Sequence, residues 1–215
     1  MPISRRSMLN AAGLFAVPGA VGLLGHQAFA QGAPAPTGAQ AEDQHRTPRY
    51  IGDANAKASV TEFFSLTCTH CAAFARDTMP RIEKELITPG KLRYAFRDYP
   101  LDQVALTAAM VARYLPPNQY YPFCSALFAT QDRWAFARNV DSNQEIWKMA
   151  ALAGMSRATF DQAVADTGLR DWILQQQQAD RDHWKIDATP SFLIEGQKYS
   201  GEMSFEAFRK LIPEA

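Results

Sequence analysis

Two cysteines lie two residues apart in Cys68-Thr69-His70-Cys71, directly after an apolar run rich in β-formers, Ser59-Val60-Thr61-Glu62-Phe63-Phe64-Ser65. The segment that follows has helical period. A strand delivering a C-x-x-C to the start of a helix commits the chain to a βα unit with both thiols at the helix N-terminus. There the first sulfur meets unpaired backbone N–H groups and the positive end of the helix dipole, which stabilise a thiolate. Cys68 is therefore expected to be the exposed nucleophile. Cys71, one turn further in and more buried, is expected to resolve the mixed disulfide. Between them, His70 when protonated adds positive charge near Cys68 and favours the reduced form. Thr69 is small and polar, able to donate a hydrogen bond and tune the pair.

Other uses of a close cysteine pair fit less well. A zinc site needs a second Cys/His pair at recognisable spacing, and Cys124, His26, His45 and His183 do not provide one. A purely structural C-x-x-C disulfide closes a very small loop and adds little stability. No metal or cofactor is expected, only a redox-active Cys68–Cys71 disulfide. Cys124, the third cysteine, lies among Tyr121, Phe123, Leu127 and Phe128 and reads as a buried free thiol.

The pattern along the chain extends the βα unit. Residues 58–64 read as a strand. Residues 69–86 read as a helix kinked at Pro80 and closed by Gly90. Leu92, Tyr94 and Phe96 alternate with Arg93, Ala95 and Arg97 as a second strand. The βαβ unit is expected to be parallel and right-handed. From residue 102 to about 166 the period is only helical, with helices over 104–115, 120–130 and 142–154 and a short fourth from Ser156. Ser142-Asn143-Gln144-Glu145 matches a capping box. A long helix is expected over 169–184. Strands 191–194 and 197–199 flank Glu195-Gly196, a tight hairpin signal, and Ser204 caps a final helix. The fold class is α/β: a thioredoxin-like fold with a helical domain inserted between its βαβ and ββα halves. The expected divisions are 50–101 for the βαβ half, 102–167 for the helical insert, and 168–215 for the long helix plus the ββα half. The four tryptophans, Trp134, Trp147, Trp172 and Trp184, read as core or interface residues.

The N-terminal segment points to export. Residues 1–30 contain Arg5 and Arg6 and no acid, then an Ala/Gly-rich apolar stretch interrupted by Pro18, then Ala28-Phe29-Ala30 as an A-x-A cleavage site. The arginine pair matches a twin-arginine signal; the alternative is a general secretory signal. Residues 31–49, rich in Ala, Pro, Gly, Thr and Gln, read as a flexible tether, with order beginning near Tyr50. Lys+Arg and Asp+Glu number 22 each, and removing residues 1–30 leaves 20 basic against 22 acidic. No basic stripe suggests nucleic acid. An exported chain works in the periplasm, where disulfides persist.

Two further features surround the cysteines. Glu62 shares a strand face with Val60 and Phe64, and a carboxyl in an apolar strand is costly unless it works or is paired. Its pKa should rise, making it a candidate proton acceptor when Cys71 attacks. In Ala188-Thr189-Pro190-Ser191-Phe192, a proline opens a strand, and a cis bond there would leave the Thr189 backbone free to pair with an extended peptide.

The run from Val60 to Cys71 resembles the DsbA-like thiol:disulfide oxidoreductases of the thioredoxin superfamily. So do Phe96-Arg97-Asp98-Tyr99-Pro100-Leu101, Leu127-Phe128-Ala129 and Thr189-Pro190-Ser191-Phe192-Leu193-Ile194-Glu195-Gly196. The resemblance implies a nucleophile at Cys68, a resolving Cys71, a tuning His70, a buried acid at Glu62 and a substrate-binding cis-proline at Pro190 beside Thr189. It implies an oxidase acting on unfolded or reduced exported proteins and reoxidised by a DsbB-like membrane quinone reductase. Two positions depart from the best-known member: Thr69 replaces a proline, and Thr189 replaces a valine and is closer to the isomerases DsbC and DsbG. Those carry a long N-terminal dimerisation domain, for which residues 31–49 are too short and polar, so a monomer is expected. A reductase or isomerase of the same fold, and a holdase chaperone with incidental cysteines, are the rival readings.

Overall fold

The computed structural model describes residues 44–213. The export signal read at 1–30 and most of the tether read at 31–49 lie outside the described residues. Five strands form one mixed sheet: β1 (Arg49–Ile51), β2 (Ala58–Phe64), β3 (Leu92–Asp98), β4 (Ser191–Ile194) and β5 (Gln197–Ser200), in the order β1-β3-β2-β4-β5. β2 and β3 are parallel, and the other pairings are antiparallel. Besides a helical turn at 44–46, the helices are α1 (Thr69–Asp77), α2 (Met79–Ile82, continued by a π-helical turn over Glu83–Ile87), α3 (Gln103–Tyr114), α4 (Pro117–Ala129), α5 (Gln131–Trp134), α6 (Ser142–Leu152), α7 (Arg157–Ala165), α8 (Thr167–Trp184) and α9 (Phe205–Leu211). This is the thioredoxin-like arrangement with helices inserted after β3.

β2 lies at the centre of the sheet, so its residues are paired on both sides. Glu62 stands opposite Phe96 on β3 and Phe192 on β4. The carboxyl is consequently 5 % exposed rather than solvated at an edge. α1 and α9 pack on this face through Phe74, Phe192 and Phe208, whose ring centroids lie 4.7 to 6.1 Å apart. Burying each such ring contributes roughly 2–3 kcal/mol. Trp134 is fully buried, and Trp147 and Trp172 pack against the same core. Trp184 joins a smaller cluster with Phe63, Tyr99 and Ile186.

Three local expectations change. The helix read over 69–86 is broken at Thr78. Proline lacks the N–H that a helix interior requires, so Pro80 is accommodated in the first turn of a new helix. The π-helical turn that follows closes with Thr88 N–H donating to Glu83 O at 2.8 Å. The capping residue of α6 is Asp141, whose carboxylate accepts from the Asn143 and Gln144 amides, so Ser142 is already helical. Order also begins before Tyr50. Arg49 opens β1 and is 2 % exposed, its guanidinium donating to the carbonyls of Gln44, Thr47 and Arg113. A polar composition suggested a tether, but these bonds fix residues 44–49 to the end of α3. The hairpin turn, in contrast, follows its sequence signal: Glu195 and Gly196 have φ of 47° and 78°, and Ile194 pairs with Gln197. No helix among the described residues is long and apolar enough to cross a membrane.

Asp98 ends β3 and is 3 % exposed. It accepts from the buried Arg113 guanidinium and from Tyr120 Oη at 2.7 Å, tying the sheet to α3 and α4. Removing the acid leaves a buried guanidinium without its counter-charge. Asp98→Asn is therefore expected to lower unfolding stability by about 3 kcal/mol, measured as a drop in the chemical-denaturation midpoint with an unchanged slope.

Candidate active site

The end of β2 turns through Ser65-Leu66-Thr67 into Cys68, with the Cys68 amide bonded to Ser65 O at 3.0 Å. Cys68 is the N-cap of α1. Its backbone is extended, its carbonyl accepts the first helical bond from Ala72 N–H at 3.1 Å, and its sulfur accepts from Cys71 N–H at 3.2 Å. A sulfur thus takes the place usually held by a Ser or Asp oxygen, and a thiolate there faces the orphan amides of the first turn.

β4 brings the second wall. The Thr189–Pro190 bond is cis, and Pro190 is buried at the start of the strand that pairs with β2. Cys68 Sγ lies 3.3 Å from Thr189 O, across 121 positions of sequence. Thr189 Oγ1 is buried and has no hydrogen-bond partner.

The two thiols differ strongly. Hydrogen bonding from Cys71 is the largest cause that lowers the Cys68 pKa to about 6; Thr189 and the backbone N–H groups of Cys71 and His70 add to it, and burial opposes. Cys71 is fully buried, and burial pushes its pKa far up, with the charges of Cys68 and Glu62 acting the same way. Burial likewise raises Glu62 to about 7, and repulsion from Cys68 adds to that. The opposing contribution is a hydrogen bond: Tyr94 Oη donates to Glu62 Oε2 at 2.9 Å.

Glu62, Cys68, Cys71, Thr189 and Pro190 therefore form one constellation. The side chain of His70 points elsewhere, and Thr69 stands outside the constellation. Both residues are exposed, and His70 Nδ1 lies 3.4 Å from Glu202 of the segment before α9. What His70 brings to Cys68 is its backbone N–H. Cys124 is a free thiol, 2 % exposed within α4, with its pKa raised by burial.

Two contributors were not anticipated. Tyr94 is fully buried and holds the Glu62 carboxyl. The two-residue alternation of β3 puts Tyr94 on an inward face, which is the signal that would have suggested it. Gln131, at the start of α5, is buried and donates from Nε2 to Leu66 O at 2.7 Å and Cys68 O at 3.0 Å. Nothing local in the sequence marks that residue. It satisfies two carbonyls of the loop carrying the nucleophile, and so fixes the inserted helices to the thiol.

Comparisons agree with this geometry. The Thioredoxin family model matches residues 44–214. A protein of Rickettsia typhi with the provisional name protein-disulfide oxidoreductase is 25 % identical over 147 residues, covering 68 % of this chain and 54 % of the relative. The chain spans about half the length of the curated relatives it matches first. A double Cys-to-Ala variant of alpha-DsbA1 from Wolbachia pipientis has 30 % identity and a TM-score of 0.72, covering 77 % of this chain and 88 % of that one. A protein-disulfide isomerase from Novosphingobium aromaticivorans, at 22 % identity and a TM-score of 0.66, covers 76 % of this chain and 94 % of its own and shares the fold.

The electrostatics give a signed pH dependence. Alkylation of Cys68 in the reduced protein should rise with a midpoint near pH 6. Folded, reduced protein binds fewer protons at Cys68 than the unfolded chain between pH of about 6 and the ordinary 9.0. The resulting stability, relative to Cys68→Ser, is fully present above about pH 9 and lost as pH falls through about 6, with a span of at most about 4 kcal/mol. Tyr94→Phe removes the donor that favours ionised Glu62, so carboxyl NMR should find the Glu62 pKa above about 7.

Proposed function

The chain belongs to the DsbA-like branch of the thioredoxin superfamily, and on that premise we propose that it is an exported protein-disulfide oxidoreductase. It introduces disulfides into reduced or unfolded proteins of the periplasm. The observation that carries this reading is the unequal pair: Cys68 with its pKa lowered to about 6 on a helix N-cap, above a buried Cys71 whose thiolate is strongly disfavoured.

The exchange proceeds from the Cys68–Cys71 disulfide. A substrate thiolate attacks Cys68 Sγ; the new intermolecular S–S bond forms, the Cys68–Cys71 bond breaks, and its electron pair goes to Cys71. Burial disfavours a Cys71 thiolate, and Glu62, protonated below pH of about 7, supplies the proton. A second substrate thiolate then attacks the substrate sulfur of the mixed disulfide and expels the Cys68 thiolate. The Cys71 amide and the first turn of α1 stabilise that leaving group. The substrate has lost two electrons, and the pair has gained two electrons and a proton. The Thr189 backbone, presented by the cis Pro190 bond beside Cys68, supports pairing with an extended substrate segment. No resident cofactor is needed, and the chain acts as a monomer. The signal at 1–30 directs export, and a DsbB-like membrane quinone reductase restores the disulfide. Thr189 before Pro190 favours a reductase or isomerase reading instead.

The reduction potential separates these. A Cys68 pKa of about 6 lies between those of thioredoxin at about 7 and DsbA at about 3.5. Equilibration with glutathione should accordingly give a potential between about −270 and about −120 mV, nearer the former. A value at or below that of thioredoxin sinks the oxidase. In oxidative refolding of reduced ribonuclease, Cys68→Ser should be inactive, whereas Cys71→Ser mixed with scrambled, disulfide-containing ribonuclease should accumulate a mixed disulfide, its Cys68 thiolate displacing one substrate sulfur as a thiolate. Full activity of Cys68→Ser would overturn the enzymatic reading altogether.

A further inference from the structure

A second polar cavity lies away from the thiols, at the sheet edge where β1 begins. It has a volume of about 240 Å³, and none of Glu62, Cys68, Cys71 or Thr189 lines it. Three arginines do, Arg49, Arg97 and Arg113, together with Thr61, Trp172 and Gln176. No acidic side chain is among its walls.

Charge and hydrogen bonding are both unbalanced there. Arg49 and Arg113 are each 2 % exposed. The acid bonded to this buried pair is Asp98, which is already occupied by Arg113 and by Tyr120 Oη. Arg49 spends its two Nη groups on backbone carbonyls and the Thr47 hydroxyl, and its buried Nε has no partner. Arg113 Nη1 donates to the His45 and Thr47 carbonyls, and its Nε to Asp98. Arg97 leans toward Asp180 at 3.5 Å and donates to Gln176 at 2.7 Å, remaining one-third exposed at the cavity. Burial, and then the charge of Arg113, lower the Arg49 pKa. A buried guanidinium without counter-charge is unfavourable, and planar guanidinium groups match the paired oxygens of an oxyanion.

We infer that the cavity between Arg49, Arg97 and Arg113 is a binding site for a small oxyanion, a carboxylate or an inorganic one, separate from the thiol chemistry. The ligand completes the arginine cluster, accepting from the free Arg49 Nε, with Arg97 as the gate-side contact. Trp172, whose ring lies 4.7 Å from Arg113 Cζ, forms one wall and reports occupancy.

The test titrates the full reduced chain with sodium sulfate and separately with sodium succinate, against sodium chloride at matched ionic strength. Tryptophan fluorescence and amide NMR are the readouts. Saturable binding at one site, with amide shifts centred on Thr61, Ala95, Arg97 and Gln176 and a raised thermal midpoint, is the expected result; the tighter of the two anions assigns the ligand's source. Arg97→Gln should weaken binding roughly ten-fold or more and leave the alkylation rate of Cys68 unchanged. Arg49→Gln should abolish binding. Should that variant fail to fold, Arg97→Gln decides, because its side chain is partly exposed and lies outside the Arg49–Arg113 bond network. Equal responses to chloride and both oxyanions, or undiminished binding in Arg97→Gln, would overturn the site and leave the arginines as a clamp on residues 44–49.

Discussion

The hydrogen bond from the Cys71 amide to the Cys68 sulfur is the contact on which this molecule turns. It is short-range, closed within one helical turn, and made by the backbone of the second cysteine of the pair. A thiol at an N-cap is a weak acceptor until it loses its proton; then it gains the bond, the neighbouring amide of His70 and the helix dipole together. The strand β2, the cis bond before Pro190 and the carboxamide of Gln131 all serve to hold that sulfur at that point.

The pair works because the fold gives its members opposite surroundings. Cys68, read from the sequence as exposed, is 7 % exposed at the helix N-cap, and Cys71 is fully buried in the same core. Over three residues, the same thiol chemistry is thereby pushed in two directions. Glu62 belongs to the second environment: it is buried with Cys71 and held back from an even higher pKa by Tyr94. The phenol therefore tunes an acid whose charge in turn raises the pKa of Cys71.

Much of this was legible in the sequence where the determinants are local. The C-x-x-C at a strand–helix junction, the inward phase of Glu62 between Val60 and Phe64, and the Glu195-Gly196 turn each state their geometry within a few residues. What was hidden depends on register between distant segments. Tyr94 meets Glu62 only because β2 and β3 align Val60 with Tyr94, and Gln131 reaches Cys68 across 63 positions. Arg49 read as the end of a polar tether, because composition counts its charge and not the carbonyls that receive it. Asp141 displaced Ser142 as the cap because a carboxylate one residue earlier could reach two amides. The outward turn of the His70 side chain toward Glu202 depends on a loop folded after β5, which no pattern around the cysteines encodes.

The carboxamide of Gln131 gives the inserted helices a standing that their position in the chain conceals. They begin after β3 and could be taken for an addition draped over a finished domain. Yet the residue that closes the carbonyls of Leu66 and Cys68 comes from among them, so the thiol-bearing loop is complete only when the insert has docked. A change in length or outer surface of the helices leaves this bond in place only if it keeps a donor where Gln131 stands. The boundary between scaffold and accessory thus runs through a single side chain rather than between two domains.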